Sequence, residues 1–393
     1  MKSNEDHENQ GEVRIWMSEE VWRRRQSRRQ FLKNSSLGLA GLIGGPALLA
    51  ACGGGDGDEE ASGGATGGET IRMINYVDWV GKEEIPTFTA ATGIKVRQIV
   101  INSDEARIAK LAADNTAADM LLLDPSDGGR LEQLGLLAEL NLKDNIPNYY
   151  LADEFSRKVD PFTEEKQLGI PSDYGRDGFV YRTDLVSEDL TTWKDVFDVA
   201  PKYSGKINLL DFESDTISST LIGLGIDPNS QDEGDLRKAS DALIAIKPHL
   251  KALVTTDMLT PLLDGSGVIA MDWDFDAYNV LGANPEVPLK WVDAEDGLRA
   301  YLDAWSAVKT TEILPAVQMF MNNHLDPKVY AEFVNTLGIS VLVADARPYI
   351  RKEIQESTIL FPPKDVQDRI TFSLPRGEAQ KFWDDAWARF KAA

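Results

Sequence analysis

Between residues 70 and 123 the chain alternates between short apolar runs and amphipathic segments, and this alternation narrows the fold more than any other feature. Residues 70–76 are apolar and follow a Gly-rich linker, which predicts a strand. Residues 78–92 carry Glu83 and Glu84 in their early turns, with Gly93 just beyond, the pattern of a helix closed by a glycine C-cap. Residues 94–101 predict a second strand and residues 103–114 a second helix. Met120 to Leu123 is apolar throughout, as a strand buried on both faces requires. Strand, helix, strand, helix, strand in so short a span predicts an α/β layer fold built on a parallel sheet.

The remainder repeats these signals less regularly. Helices are expected over residues 192–199, 216–224, 236–247, 276–282, 327–337 and 377–391, with Asp326 and Gly338 bounding the fifth. Strands are expected over residues 205–210 and 267–273, and residues 299–309 read as extended. Asp173-Tyr174-Gly175-Arg176-Asp177-Gly178 reads as turns leading into a strand, a plausible crossing between two lobes.

Residues 1–69 have another character. Ser27-Arg28-Arg29-Gln30-Phe31-Leu32-Lys33 matches the twin-arginine export pattern, and Leu49-Ala50-Ala51-Cys52 matches a lipobox, where a signal peptidase cuts before a cysteine that is then acylated. The apolar stretch between them is Gly-rich and broken by Pro46. It is too short and weak for a durable membrane helix of about 20 residues. Residues 1–51 are therefore expected to be a twin-arginine lipoprotein signal, with Arg28 and Arg29 as its recognition pair. Cys52 is the expected lipid anchor, and residues 52–69 a flexible Gly- and acid-rich tether. That places the mature chain outside the cytoplasm, held to a membrane in the periplasm or on the outer face of the cell.

Cys52 is the sole cysteine, so disulfides, thiolate metal sites and cysteine nucleophiles are removed from the folded part. No G-x-S-x-G, H-E-x-x-H or P-loop pattern occurs, and neither a metal nor a cofactor is expected. The net charge of −23 argues against a phosphate-binding basic face, hence against nucleic acid; taken alone it reads as solubility or adaptation to salt, and it also favours capture of a cation. A pair of carboxylates doing general acid/base work on a glycoside is the competing enzymatic reading, but nothing singles such a pair out.

Several segments resemble one family, the extracytoplasmic solute-binding proteins of ATP-binding-cassette importers, and within it the spermidine/putrescine branch. Asn75-Tyr76-Val77-Asp78-Trp79-Val80 resembles its opening motif, and Phe88 with Thr92-Gly93-Ile94-Lys95-Val96 resembles its F-x-x-x-T-G-I-K-V. Leu134-Gly135-Leu136-Leu137, Ile170-Pro171 with Tyr174-Gly175, Thr192-Trp193-Lys194-Asp195-Val196-Phe197 and Tyr203-Ser204-Gly205-Lys206-Ile207 are similar to later motifs. The resemblance implies a two-lobed, type II periplasmic-binding-protein fold in which each lobe is a mainly parallel sheet flanked by helices. Lobe 1 is expected at residues 70–172 with about 304–345, and lobe 2 at residues 173–303 with about 346–393. It also implies a monomer that closes over one solute and delivers it to a permease in the membrane, without catalysis.

Carried over residue by residue, the resemblance places Tyr76 and Trp79 at its first pair of cleft aromatics, Trp273 at the next tryptophan, and Tyr301 with Asp303 at an aromatic-x-Asp step whose carboxylate holds an amine. Asp215 lies close to where the family carries a second acid. Flat aromatic walls suit a methylene stem, and carboxylates suit its ammonium ends. The chain departs from the pattern at Asp124-Pro125-Ser126-Asp127, where a small polar residue and an aromatic are usual, and at Ile339, where a cleft tyrosine is common. Asp124 and Ser126 are candidate contacts there, Asp124 as an added ammonium partner or as the mark of a different cationic ligand. A sugar or a basic amino acid remains the rival cargo.

Overall fold

The computed structural model describes residues 68–77, 79–153, 157 and 166–393; Arg28, Arg29, Cys52 and the tether up to Gly67 lie outside them. The opening alternation folds as β1 (Thr70–Asn75), α1 (Glu84–Thr92), β2 (Lys95–Val100), α2 (Asp104–Ala113) and β3 (Met120–Leu123). Gly93 closes α1 with φ 76°, a conformation that costs a residue without Cβ nothing. The Ser103 side chain accepts from the Ala106 amide to cap α2. Helix α1 starts later than residue 78 because Asn75, fully buried, donates its Nδ2 to the Trp79 carbonyl and holds a turn there.

After α3 (Pro125–Gln133), the passage expected to turn is instead the middle of a long strand, β4 (Gly169–Arg182). Its glycines mark close approach, not reversal. A Cβ at Gly175 would lie 2.3 Å from the Tyr301 hydroxyl, and one at Gly178 would lie 2.4 Å from the Trp291 ring. Then follow α4 (Trp193–Val199), β5 (Ile207–Leu210), α5 (Glu213–Gly223), α6 (Glu233–Ile246), β6 (Leu250–Val254), β7 (Ile269–Trp273), α7 (Asp274–Ala283), β8 (Leu289–Val292) and β9 (Leu298–Ala307). The chain ends with α8 (Leu314–His324), α9 (Pro327–Leu337), β10 (Ile370–Phe372) and α10 (Gln380–Ala392).

The main sheet path runs β2-β1-β3-β9-β4-β7-β5-β6. Its two flanks, β2-β1-β3 and β7-β5-β6, are parallel, as strands joined by helical crossovers should be. Its middle is antiparallel, because β4 and β9 traverse the molecule in opposite senses. Ile170 of β4 and Trp305 of β9 pack in one large apolar cluster with Phe320 and Phe333, while Phe179 of β4 and Leu298 of β9 pack in another with Trp193 and Trp383. Ile350, Ile354 and Leu360 belong to the first cluster and Val366 to the second. The last crossing thus falls beyond Leu360, not near residue 345 as expected. The short 3₁₀ helix Ala344–Tyr349 packs against α9, and Asn335 of α9 donates its Nδ2 to the Tyr349 carbonyl at 2.9 Å.

Candidate binding cleft

The strands β4 and β9 build the floor. Their antiparallel register sets Asp173 opposite Asp303 and Gly175 opposite Tyr301, so alternate residues of both strands share one face. One step further along, Arg299 meets Asp177 at 3.2 Å. A bulge between Pro171 and Asp173 inserts Ser172 and fixes which residues face this side. Two acids directly opposite each other repel. Asp303 is 5 % exposed and Asp173 fully buried. The Trp79 indole donates to Asp173 Oδ1 at 3.1 Å, while Oδ2 is buried without a hydrogen-bond partner. Burial pushes the Asp173 carboxyl up to about 6, against the indole and Ser172, which favour its charged form.

Aromatic rings form an arc over this floor. Trp79 meets Tyr76 edge-on at 6.0 Å between centroids and Phe275 at 4.8 Å. Phe275 in turn stacks on Trp273 at 6.0 Å with 13° between planes, and Trp273 meets Phe212 edge-on at 5.1 Å. Tyr301, buried beside Asp274, has its hydroxyl raised well above the usual tyrosine range by that burial, so it stays a proton donor. Arg107 covers one face of Tyr76, its guanidinium carbon 3.8 Å from the ring centre.

Asp124 stands at the carboxyl end of β3, where open α/β sheets bind ligands, and Asp215 lies in the first turn of α5, where a helix dipole favours an anion. Both are engaged by one guanidinium. Arg299 donates to Asp124 Oδ2 at 2.8 Å and to Asp215 Oδ1 at 3.0 Å, and it sits 6.0 Å from the Tyr301 ring centre. The Trp273 indole donates to the same Asp215 oxygen at 2.7 Å. Arg130 of α3 joins these elements a second time through Glu213 of α5 at 3.1 Å. Ser126 falls in α3, and its side chain lies outside the described atoms.

Asp173, Asp177, Arg299 and Phe275 escaped the sequence reading. The available signal was the pair of period-two triplets, Asp173-x-Gly175-x-Asp177 and Arg299-x-Tyr301-x-Asp303, which only a strand assignment makes visible. Among the described residues no group of three or more His, Asp or Glu is placed to hold a metal.

A family model for bacterial extracellular solute-binding proteins matches residues 85–362. The chain belongs to this family. It is a transport component, not an enzyme, and its setting is extracytoplasmic. This solute-binding protein is 23 % identical over 351 residues to spermidine/putrescine-binding periplasmic protein 1 of Haemophilus influenzae, covering 88 % of this chain and 96 % of that one. It is 24 % identical over 340 residues to the putrescine-binding periplasmic protein PotF of Escherichia coli, covering 82 % and 92 % respectively. Its fold superposes with a TM-score of 0.68 on the spermidine/putrescine substrate-binding protein PotD of Streptococcus pneumoniae, at 22 % identity, covering 82 % of this chain and 99 % of that one.

Proposed function

We propose that this protein captures a small aliphatic amine of the putrescine/spermidine class in the cleft and hands it to an importer's permease. The opposition of Asp173 and Asp303 beside Trp79 carries this reading. A buried pair of facing carboxylates is costly alone and becomes favourable around one ammonium. Trp79, Tyr301 and Trp273 supply aromatic surface for the methylene stem, and a cation against such rings gains about 0.5–2 kcal/mol. The polyamine-binding relatives support the same cargo. The strands β4 and β9, passing from one apolar cluster to the other near residues 173 and 303, are suited to act as the hinge about which two lobes close. Calorimetric titration with putrescine, spermidine, a maltooligosaccharide and a basic amino acid tests the assignment. Stabilisation by the neutral sugar and by neither polyamine would overturn it.

The pH dependence follows from Asp173. Its ionised form is the one an ammonium meets, so amine affinity falls as pH drops through about 6, approaching tenfold per unit below that. The contribution of Asp173 to the bare fold has the opposite sign. A carboxyl whose pKa is raised in the native state stabilises the fold increasingly as pH falls from about 6 towards its unfolded value. Titrations from pH 5 to 8 check the first, and denaturation midpoints over the same range check the second.

The anchor completes the proposal. Export through the Arg28-Arg29 signal and acylation at Cys52 would keep the binder beside its permease on an acidic Gly-rich leash. Cys52→Ala is expected to move the protein from the membrane fraction to the soluble one. Retention of the variant on membranes would count against the lipid.

A further inference from the structure

The shared face of β4 and β9 carries two charged poles. One is Asp173 opposite Asp303, beside Trp79. The other is Asp177 and Arg299, with Asp124 and Asp215 closing around the same guanidinium. Four residues of strand separate Asp303 from Arg299, ~13 Å along the floor. A four-carbon diamine anchored at the first pole stops well short of the second, whereas a triamine of spermidine length covers most of the gap. Arg299 is 2 % exposed, its charge shared among three carboxylates at 2.8, 3.0 and 3.2 Å, and Trp273 holds one of those carboxylates in place. Such a cation is built in, since withdrawing it would leave buried acids facing one another.

We infer that Arg299 occupies the second pole in place of a solute's far ammonium, which makes this a cleft for short amines and sets it against long polyamines. The inference rests on the reading that the cleft takes an aliphatic amine, and deepens it by naming the size. The first ammonium is held by Asp173 and Asp303, and the stem lies along Tyr301 and the aromatic arc. A triamine pushed further along the floor would bring its last ammonium against the guanidinium of Arg299, a like-charge contact in a water-poor site. Discrimination therefore comes from a repulsive element and not from a missing contact. In sequence terms, one arginine two residues before the aromatic-x-Asp step converts an acidic cleft end into a filled one.

The test is calorimetric titration of the native chain, Arg299→Gln and Arg299→Lys with putrescine and with spermidine. The native protein is expected to bind putrescine roughly tenfold or more tightly than spermidine, a gap that Arg299→Lys keeps and Arg299→Gln closes or reverses. In thermal denaturation of Arg299→Gln, spermidine is expected to raise the midpoint more than putrescine does, because its far ammonium takes up the acids that the arginine had held. Equal affinity of the native protein for both amines, or an unchanged ratio in a folded Arg299→Gln, would overturn the inference. The native ratio decides the matter by itself if the glutamine variant does not fold. Binding of neither amine, with a sugar bound instead, is a different outcome and removes the amine reading itself.

Discussion

Asp303→Asn is expected to weaken amine binding by about 2–5 kcal/mol, roughly 30-fold to a few thousand-fold, while leaving the unliganded fold as stable as before or more so. The two effects have one cause. Asp303 lies directly across the ladder from Asp173, both are at least nine-tenths buried, and like charges directly opposite each other on a ladder repel. Asparagine keeps the shape and removes one of the two charges. Binding then loses a charge-assisted contact in a poorly hydrated place, where such contacts are strongest. Calorimetry gives the affinity and chemical denaturation the stability. A variant that binds putrescine within threefold of the native chain would remove Asp303 from the site, and one that loses binding together with its fold would make it a structural acid.

Glu84→Leu is expected to cost about 3–5 kcal/mol of stability, the scale of breaking a buried, hydrogen-bonded pair by deleting one partner. Glu84 Oε1 meets His324 Nδ1 at 2.9 Å, and Glu84 Oε2 accepts from the Gly81 amide. The other imidazole nitrogen lies 3.3 Å from the Ser172 hydroxyl. Trp305, Tyr330 and Phe333 enclose the ring, with Phe333 closest at 4.9 Å. Leucine fills the volume but leaves His324 and the Gly81 amide without their acceptor in a site closed to water. The loss also reaches the cleft, because Ser172 is the bulge residue beside Asp173, and Tyr330 donates to the Ser172 carbonyl at 3.0 Å. Urea denaturation followed by fluorescence measures the stability. A change below about 1 kcal/mol would show that the pair contributes no more than an ordinary exposed contact.

Much of the architecture was legible because it is written locally. The helix limits at Ser103, Thr192, Asp326 and Gly338 coincide with side-chain caps or a left-handed glycine, each decided within three or four residues. The apolar runs of β1, β3 and β5 are unambiguous because both faces are covered. The strand β4 was not legible. Its glycines and acids have low strand propensity, and they are tolerated where a tyrosine and a tryptophan from distant elements fill the space that a Cβ would need. The return near residue 345 was misplaced for a related reason. Residues 346–360 carry apolar positions that either cluster could bury, and the choice lies with contacts far along the chain.

By itself, then, the sequence determined the opening alternation of strands and helices and most of the later helices, and it supplied the expectations of an export leader at Arg28-Arg29 with Cys52 and of Trp79, Trp273, Tyr301 and Asp303 as side chains of the kind a small cation requires. Tertiary structure decided how the acids are paired. Asp124 and Asp215 close on Arg299, whereas Asp173, unremarkable in the sequence, comes to face Asp303. The physical reason is strand register. Side chains alternate faces with a period of two, so a slip of one residue between segments more than a hundred positions apart would have reversed every partner, and that register is set by the bulge at Ser172 and the packing on both sides of the sheet.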